Sequence, residues 1–180
     1  KNGKSIQKTV QLILSKLLKE KIILHGSGRT DAGVHALEQS AHFDVKKKIH
    51  NIYKTIKSLN FFLNSKMISI IKIKKKKIDF HARYSAQERI YVYLIQNRLS
   101  PSTINKDREW HIRKKLDIKL IKEGCKKLIG THDFSTFRSS NCSAKSPIRT
   151  INKILVSKSK NCIKLKFKSK SFLKNQVRSM

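Results

Sequence analysis

The stretch "HGSGRTDAGVHA", His25 to Ala36, gathers residues that could do chemistry more densely than any other part of the chain. Gly26, Gly28 and Gly33, three of the six glycines, surround a single carboxylate, Asp31. Grouped glycines cradle phosphates in two patterns, G-x-x-x-x-G-K-[ST] and G-x-G-x-x-G. Neither fits, because Asp31 stands where the second pattern needs its third glycine, and a carboxylate repels a pyrophosphate. One remaining reading is a structural connection in which glycines supply positive φ and Asp31 bonds local amides. Polar crowding argues for more: Ser27, Arg29, Thr30 and His35 share the loop. Arg29 is placed to contact Asp31 or to steer an anionic substrate, and Asp31 is a candidate nucleophile or base.

Elements on both sides must position that loop. "KSIQKTVQLILSKLLKE" sets Ile6, Val10, Ile13, Leu14, Leu17 and Leu18 at helical spacing behind a Ser5 cap. "KIILH" (21–25) reads as a short buried strand entering the loop, and "ALEQSAHFDV" (36–45) as strand-like after it. A helix over 49–63 and a strand over 67–74 complete a first half, 1–78. The second half, 79–180, opens with "DFHARYSAQERIYVYLIQN", where "RIYVYLI" alternates. Arg89, Tyr91, Tyr93 and Ile95 share one face, and Ile90, Val92 and Leu94 the other. A helix at about 117–129, an irregular "THDFSTFRSS", strands near 148–157 and 161–168, and a helix start in "SFLKNQVRSM" follow. This mixture predicts an α+β fold in two similar halves, with a mixed, mainly antiparallel sheet and flanking helices. Phe61-Phe62 falls inside a helical apolar pattern and reads as core.

Composition narrows the partner. The 180 residues carry 42 Lys and Arg against 11 Asp and Glu, a formal charge of +31. Small soluble domains usually lie within roughly 2 to 8 charges of neutral. Compositional drift towards Lys, Ile and Asn accounts for part of the excess, and the rest suits a polyanion such as nucleic acid. Cys125, Cys142 and Cys162 are odd in number and far apart, against both a disulfide framework and a zinc site. The seven histidines show no metalloprotease spacing, so no metal is expected. No apolar run reaches the ~20 residues of a spanning helix, and a cytoplasmic location is expected.

"GRTDAGVHA", Gly28 to Ala36, resembles the signature of the TruA family of tRNA pseudouridine synthases. "FHARYSA" (80–86), "RIYVY" (89–93), "HDFSTFR" (132–138), "SPIRTI" (146–151) and "FLKNQVRSM" (172–180) resemble further family stretches in the same order. The resemblance implies a cofactor-independent isomerase with a central basic cleft. Such an enzyme breaks the uridine C1′–N1 bond, turns the uracil and rejoins it through C5. It implies that Asp31 is the catalytic residue, attacking the base or the sugar. Tyr91 matches the Tyr that packs against the uracil, and Arg178 matches the basic residue that pairs with the catalytic Asp. Arg29 falls within the motif, and the resemblance implies that it contacts substrate phosphate or Asp31. The implied substrate is the anticodon stem-loop of tRNA at positions 38–40, and the implied assembly is a homodimer. The family has an N-terminal strand where this chain has only "KNGK", and continues beyond Met180, so the chain reads as truncated at both ends. A basic RNA-binding protein of the same fold, inactive through truncation, is the alternative.

Overall fold

A computed structural model describes residues 5–180; the "KNGK" segment lies outside them. The chain separates into two compact units. One comprises the chain up to Arg29 together with Ala36–Ala86, and the other Thr30–His35 with Gln87–Met180.

In the first unit, α1 (Ile6–Leu18) begins where the Ser5 side chain accepts a hydrogen bond from the Lys8 amide. Helix α2 (Ile52–Leu63) opens later than its apolar pattern suggests, because the Asn51 side chain caps it by accepting from the Lys54 amide. Val10 and Leu14 of α1 pack with Leu59 and Leu63 of α2 around Ile22 and Leu24. The expected strands here are much reduced. Among the described residues of this unit, only β1 (His25–Gly26) and β2 (Ala41–His42) form a ladder, antiparallel.

Side chains take the place of strand partners in the rest. The Ile22 amide donates to Ser15 Oγ at 3.0 Å and the Leu24 amide to Gln11 Oε1 at 3.0 Å. Gln7 Nε2 donates to the Leu24 carbonyl at 2.6 Å. Helix α1 thus satisfies backbone groups of Ile22 and Leu24 that a neighbouring strand would otherwise serve. Segment 67–74 is also outside any ladder: the Asn60 amide pairs with both the N–H and the C=O of Ile70, at 2.7 and 3.0 Å.

The second unit is built on a mixed five-stranded sheet with order β4-β3-β7-β6-β5. Its strands are β3 (Arg89–Asn97), β4 (Trp110–Ile112), β5 (Gly130–Asp133), β6 (Ile148–Ser159) and β7 (Cys162–Ser169). Only the β3–β4 pair is parallel. The alternation read in "RIYVYLI" is present: Tyr91 and Tyr93 pack against the core, while Ile90 and Val92 are exposed. Helix α3 (Ile118–Leu128) starts at Asp117, whose carboxylate accepts from the amides of Lys119 and Leu120. The core joins Phe134, Ile151, Ile154 and Phe167 with Cys125 and Leu173.

Two expectations are corrected. "THDFSTFRSS" is not wholly irregular, since its first residues belong to β5 and register Thr131 against Thr150 and His132 against Arg149 of β6. A partner strand, which local sequence does not show, makes that edge a ladder. Phe61 and Phe62 are exposed and meet edge to face at 5.3 Å instead of entering the core. The face that α2 buries carries Leu59 and Leu63, and both Phe rings stay open to solvent beside it. Among the described residues no helix is long and apolar enough to cross a membrane.

Candidate active site

Asp31 opens a tight turn. The Val34 amide donates to the Asp31 carbonyl at 3.2 Å, and Gly33, third in the turn, takes φ +81°. That region suits glycine, and a side chain at Gly33 would be strained although the space beside it is open. The turn fixes the backbone of Asp31 and leaves its partly exposed carboxyl free to be held by other groups.

Those groups come from the end of the chain. After β7 the backbone is anchored by buried Leu173 and by Gln176, fully buried, whose Oε1 accepts from the Leu173 amide at 2.8 Å. Ser169 Oγ lies within hydrogen-bond distance of the Thr150 and Ser171 carbonyls, which share its one proton, fastening the strand end. Asn175 follows in the left-handed region, φ 66°, and the short helix α4 (Gln176–Ser179) begins immediately after it. With its amide oriented by its partners, Asn175 Nδ2 donates to Asp31 Oδ2 at 2.5 Å, and Asn175 Oδ1 accepts from Arg178 Nη2 at 3.2 Å. Asp31 and Arg178 are therefore linked through a neutral amide. A direct ion pair elsewhere in this unit joins Lys168 and Glu88, at 3.3 Å.

Tyr91 projects from β3 opposite Phe167 of β7 and packs edge to face on Phe172, with ring centroids 5.1 Å apart. Burial pushes its phenol above the ordinary value; the Arg89 guanidinium works against this, and the Asp31 carboxylate adds to it. The phenol therefore feels the Asp31 charge. Three of the four residues singled out from sequence, Asp31, Tyr91 and Arg178, belong to the second unit, while Arg29 is exposed and belongs to the first. Asn175 escaped the sequence reading. Its only signal was an Asn ahead of a four-residue helical turn, which reads as an ordinary cap.

The first unit holds a second grouping. His25 and His42 stack at 5.0 Å, and the His81 ring meets His42 at 4.5 Å and Tyr84 at 4.4 Å. His42 Nδ1 accepts from the Ala82 amide at 3.2 Å. Burial first, then the charges of His81 and His25, lower the His42 pKa, against an opposing pull from Asp44. The imidazoles stack face and edge instead of converging on a point, and no cluster of His, Cys, Asp or Glu among the described residues is arranged to hold a metal ion.

With this geometry in place, the comparisons with known proteins identify the class. A family model described as tRNA pseudouridine synthase matches residues 1–85 and 125–180. The tRNA pseudouridine synthase A of Pelagibacter ubique (strain HTCC1062) is 61% identical over 178 residues, covering 99% of this chain and 72% of its own length. The enzyme of the same name from Neorickettsia sennetsu (strain ATCC VR-367 / Miyayama) is 42% identical over 176 residues, covering 98% of this chain and 72% of its own. That of Ehrlichia canis (strain Jake) is 40% identical over 174 residues, covering 97% and 71%. The chain belongs to the tRNA pseudouridine synthase family, a class of tRNA-modifying isomerases.

Proposed function

We propose that this enzyme converts uridine to pseudouridine in the anticodon stem-loop of tRNA, at positions 38–40, with the Asp31 carboxylate as the reactive group. One observation supports this reading most strongly. Asp31, in a glycine-bent turn, is hydrogen-bonded to a segment from the far end of the chain that carries Arg178, and its charge reaches the Tyr91 phenol. A carboxylate spending hydrogen bonds on a polar relay beside an aromatic ring suits covalent chemistry on a nucleoside better than phosphate binding.

The reaction is an isomerisation and balances within the substrate. An Asp31 oxygen attacks the base or the sugar, and the C1′–N1 bond breaks. The uracil turns, C5 bonds to C1′, the bond to the Asp31 oxygen breaks and returns the carboxylate, the C5 proton leaves to water, and N1 gains a proton. Tyr91, rigidly packed on Phe172, offers a flat surface for the detached uracil. Arg178 acts on the carboxylate through Asn175, and Arg29, exposed beside the turn, contacts substrate phosphate.

Lys164, Lys166 and Lys168 alternate along β7 on the face opposite core residues Leu165 and Phe167. Such a row adds to a charge of +31 in attracting a polyanion. Extruding a base from a stem-loop costs a few kcal/mol, and a broad electrostatic contact offsets it. The reading extends to a homodimer acting in the cytoplasm.

The placement is tested by incubating the full-length protein with an unmodified tRNA transcript bearing uridines at 38, 39 and 40 and elsewhere, then mapping pseudouridine at single-nucleotide resolution. Modification confined to 38–40 is expected. Modification elsewhere with those positions untouched would refute the anticodon assignment.

A further inference from the structure

Asn175 occupies a backbone conformation that few L-residues adopt, φ 66° and ψ −2°. Asn tolerates that region better than most side chains, so its backbone alone would explain its presence. Its side chain does more. The amide bridges the Asp31 carboxylate and the Arg178 guanidinium, using its donor on one and its acceptor on the other.

We infer that Asn175 is a positioning residue for the reaction, holding Oδ2 of Asp31 through its Nδ2–H while Arg178 polarises and orients the amide from its other end. This rests on the reading of Asp31 as the reactive group. Three physical points support it.

An amide is planar, so fixing Oδ1 on the guanidinium also fixes the direction of Nδ2–H, and with it the rotation of the carboxyl. The bond engages Oδ2 and thereby sets the direction of the other oxygen, Oδ1. A hydrogen bond accepted from a cation strengthens the donor at the far end of the amide.

The segment supporting Asn175 is built for precision. Leu173 and Gln176 are buried on either side, and the Lys174 carbonyl accepts from the Ser139 amide at 3.1 Å. The amides of Arg178 and Ser179 both donate to the Asn175 carbonyl, at 3.0 and 3.1 Å. The backbone at 175 is thus over-determined, and a change of side chain there tests the amide and not the loop.

Steady-state release of tritium from C5-labelled uridine in tRNA, with Tm measured alongside, tests this in the full-length protein. Asn175→Gly keeps the positive φ and removes the amide. Asn175→Asp keeps the outline and sets an acceptor against an acceptor. For both, a kcat lower by roughly 10- to 100-fold is expected, with KM within about twofold and Tm within about 2 °C of the parent. Asp31→Asn is run in parallel. If Asp31→Asn abolishes release while Asn175→Gly matches the parent kcat, the positioning role is overturned and the reading of Asp31 stands. A kcat loss that follows a fall in Tm in both Asn175 variants would also overturn it, making the residue structural. If Asp31→Asn retains full activity, both readings fall.

Discussion

Tyr91 meets Phe172 edge to face with ring centroids 5.1 Å apart, tying the middle of β3 to the segment that carries Asn175 and Arg178. The contact sets the plane of the Tyr91 ring, and the phenol is pushed up by burial and by the Asp31 charge, against the Arg89 guanidinium. Tyr91→Phe keeps the ring contact, so its Tm should stay within a few degrees of the parent. Tyr91→Ala removes a half-buried ring and should cost about 2–4 kcal/mol in denaturant unfolding, with a large loss of activity. The absorbance difference between parent and Tyr91→Phe should show this phenol ionising only above its ordinary value of 10.0.

Stability of the first unit should depend on a residue with no apolar role. The Asn60 side chain satisfies both backbone groups of Ile70. Asn60→Ala leaves that donor and acceptor part-buried without partners and should cost about 1–3 kcal/mol. A loss equal to that of an exposed substitution such as Lys57→Ala would show that the pairing carries no energy.

These two sites show where sequence reading reached and where it stopped. Helix α1 was legible because its apolar period and its Ser5 cap are both local, α3 was placed within a residue or two of its ends, and the alternation of β3 is likewise a local pattern. The β-branched runs "KIIL" and "MISIIKIK" suggested strands, but propensity does not reveal the partner, and here Gln11, Ser15 and Asn60 supplied it. Residues 130–133 failed in the other direction, polar and turn-like yet paired with β6. At the candidate site, Asp31, Tyr91 and Arg178 were singled out from motifs. Asn175 was not, because its significance lies in a positive φ and in proximity to a carboxylate far away in the chain.

The cysteines should differ in reactivity. Backbone N–H groups of Ala144 and Lys174, with Arg138 and Arg149 nearby, hold the Cys142 thiol below the ordinary value, while burial raises Cys125 and Cys162. A lowered pKa gives more thiolate at neutral pH. In the native protein at pH 7, iodoacetamide should alkylate Cys142 first, as read by peptide mass spectrometry. Earlier labelling of Cys125 would contradict this electrostatic picture.

The histidine stack should make stability depend on pH. The folded-state pKa of His42 is depressed, so the unfolded chain binds the proton more readily. Its contribution is present above the unfolded value of about 6.5 and is lost as pH falls through the lower folded value. Protonation at Nδ1 would also remove the bond accepted from Ala82. The fall in Tm between pH 7.5 and 5.5 should be smaller in His42→Gln than in the parent. An equal fall would remove His42 from the linkage.

The central claim is that the Asp31 carboxylate performs the chemistry. Single-turnover formation of pseudouridine by the full-length Asp31→Asn protein, quantified by nucleoside mass spectrometry with tRNA binding measured in parallel, tests it most directly. Loss of one carboxylate oxygen charge in a nearly isosteric side chain should slow the reaction by at least about 1,000-fold, with affinity for tRNA within about threefold. A rate within about tenfold of the parent at unchanged affinity would contradict the account.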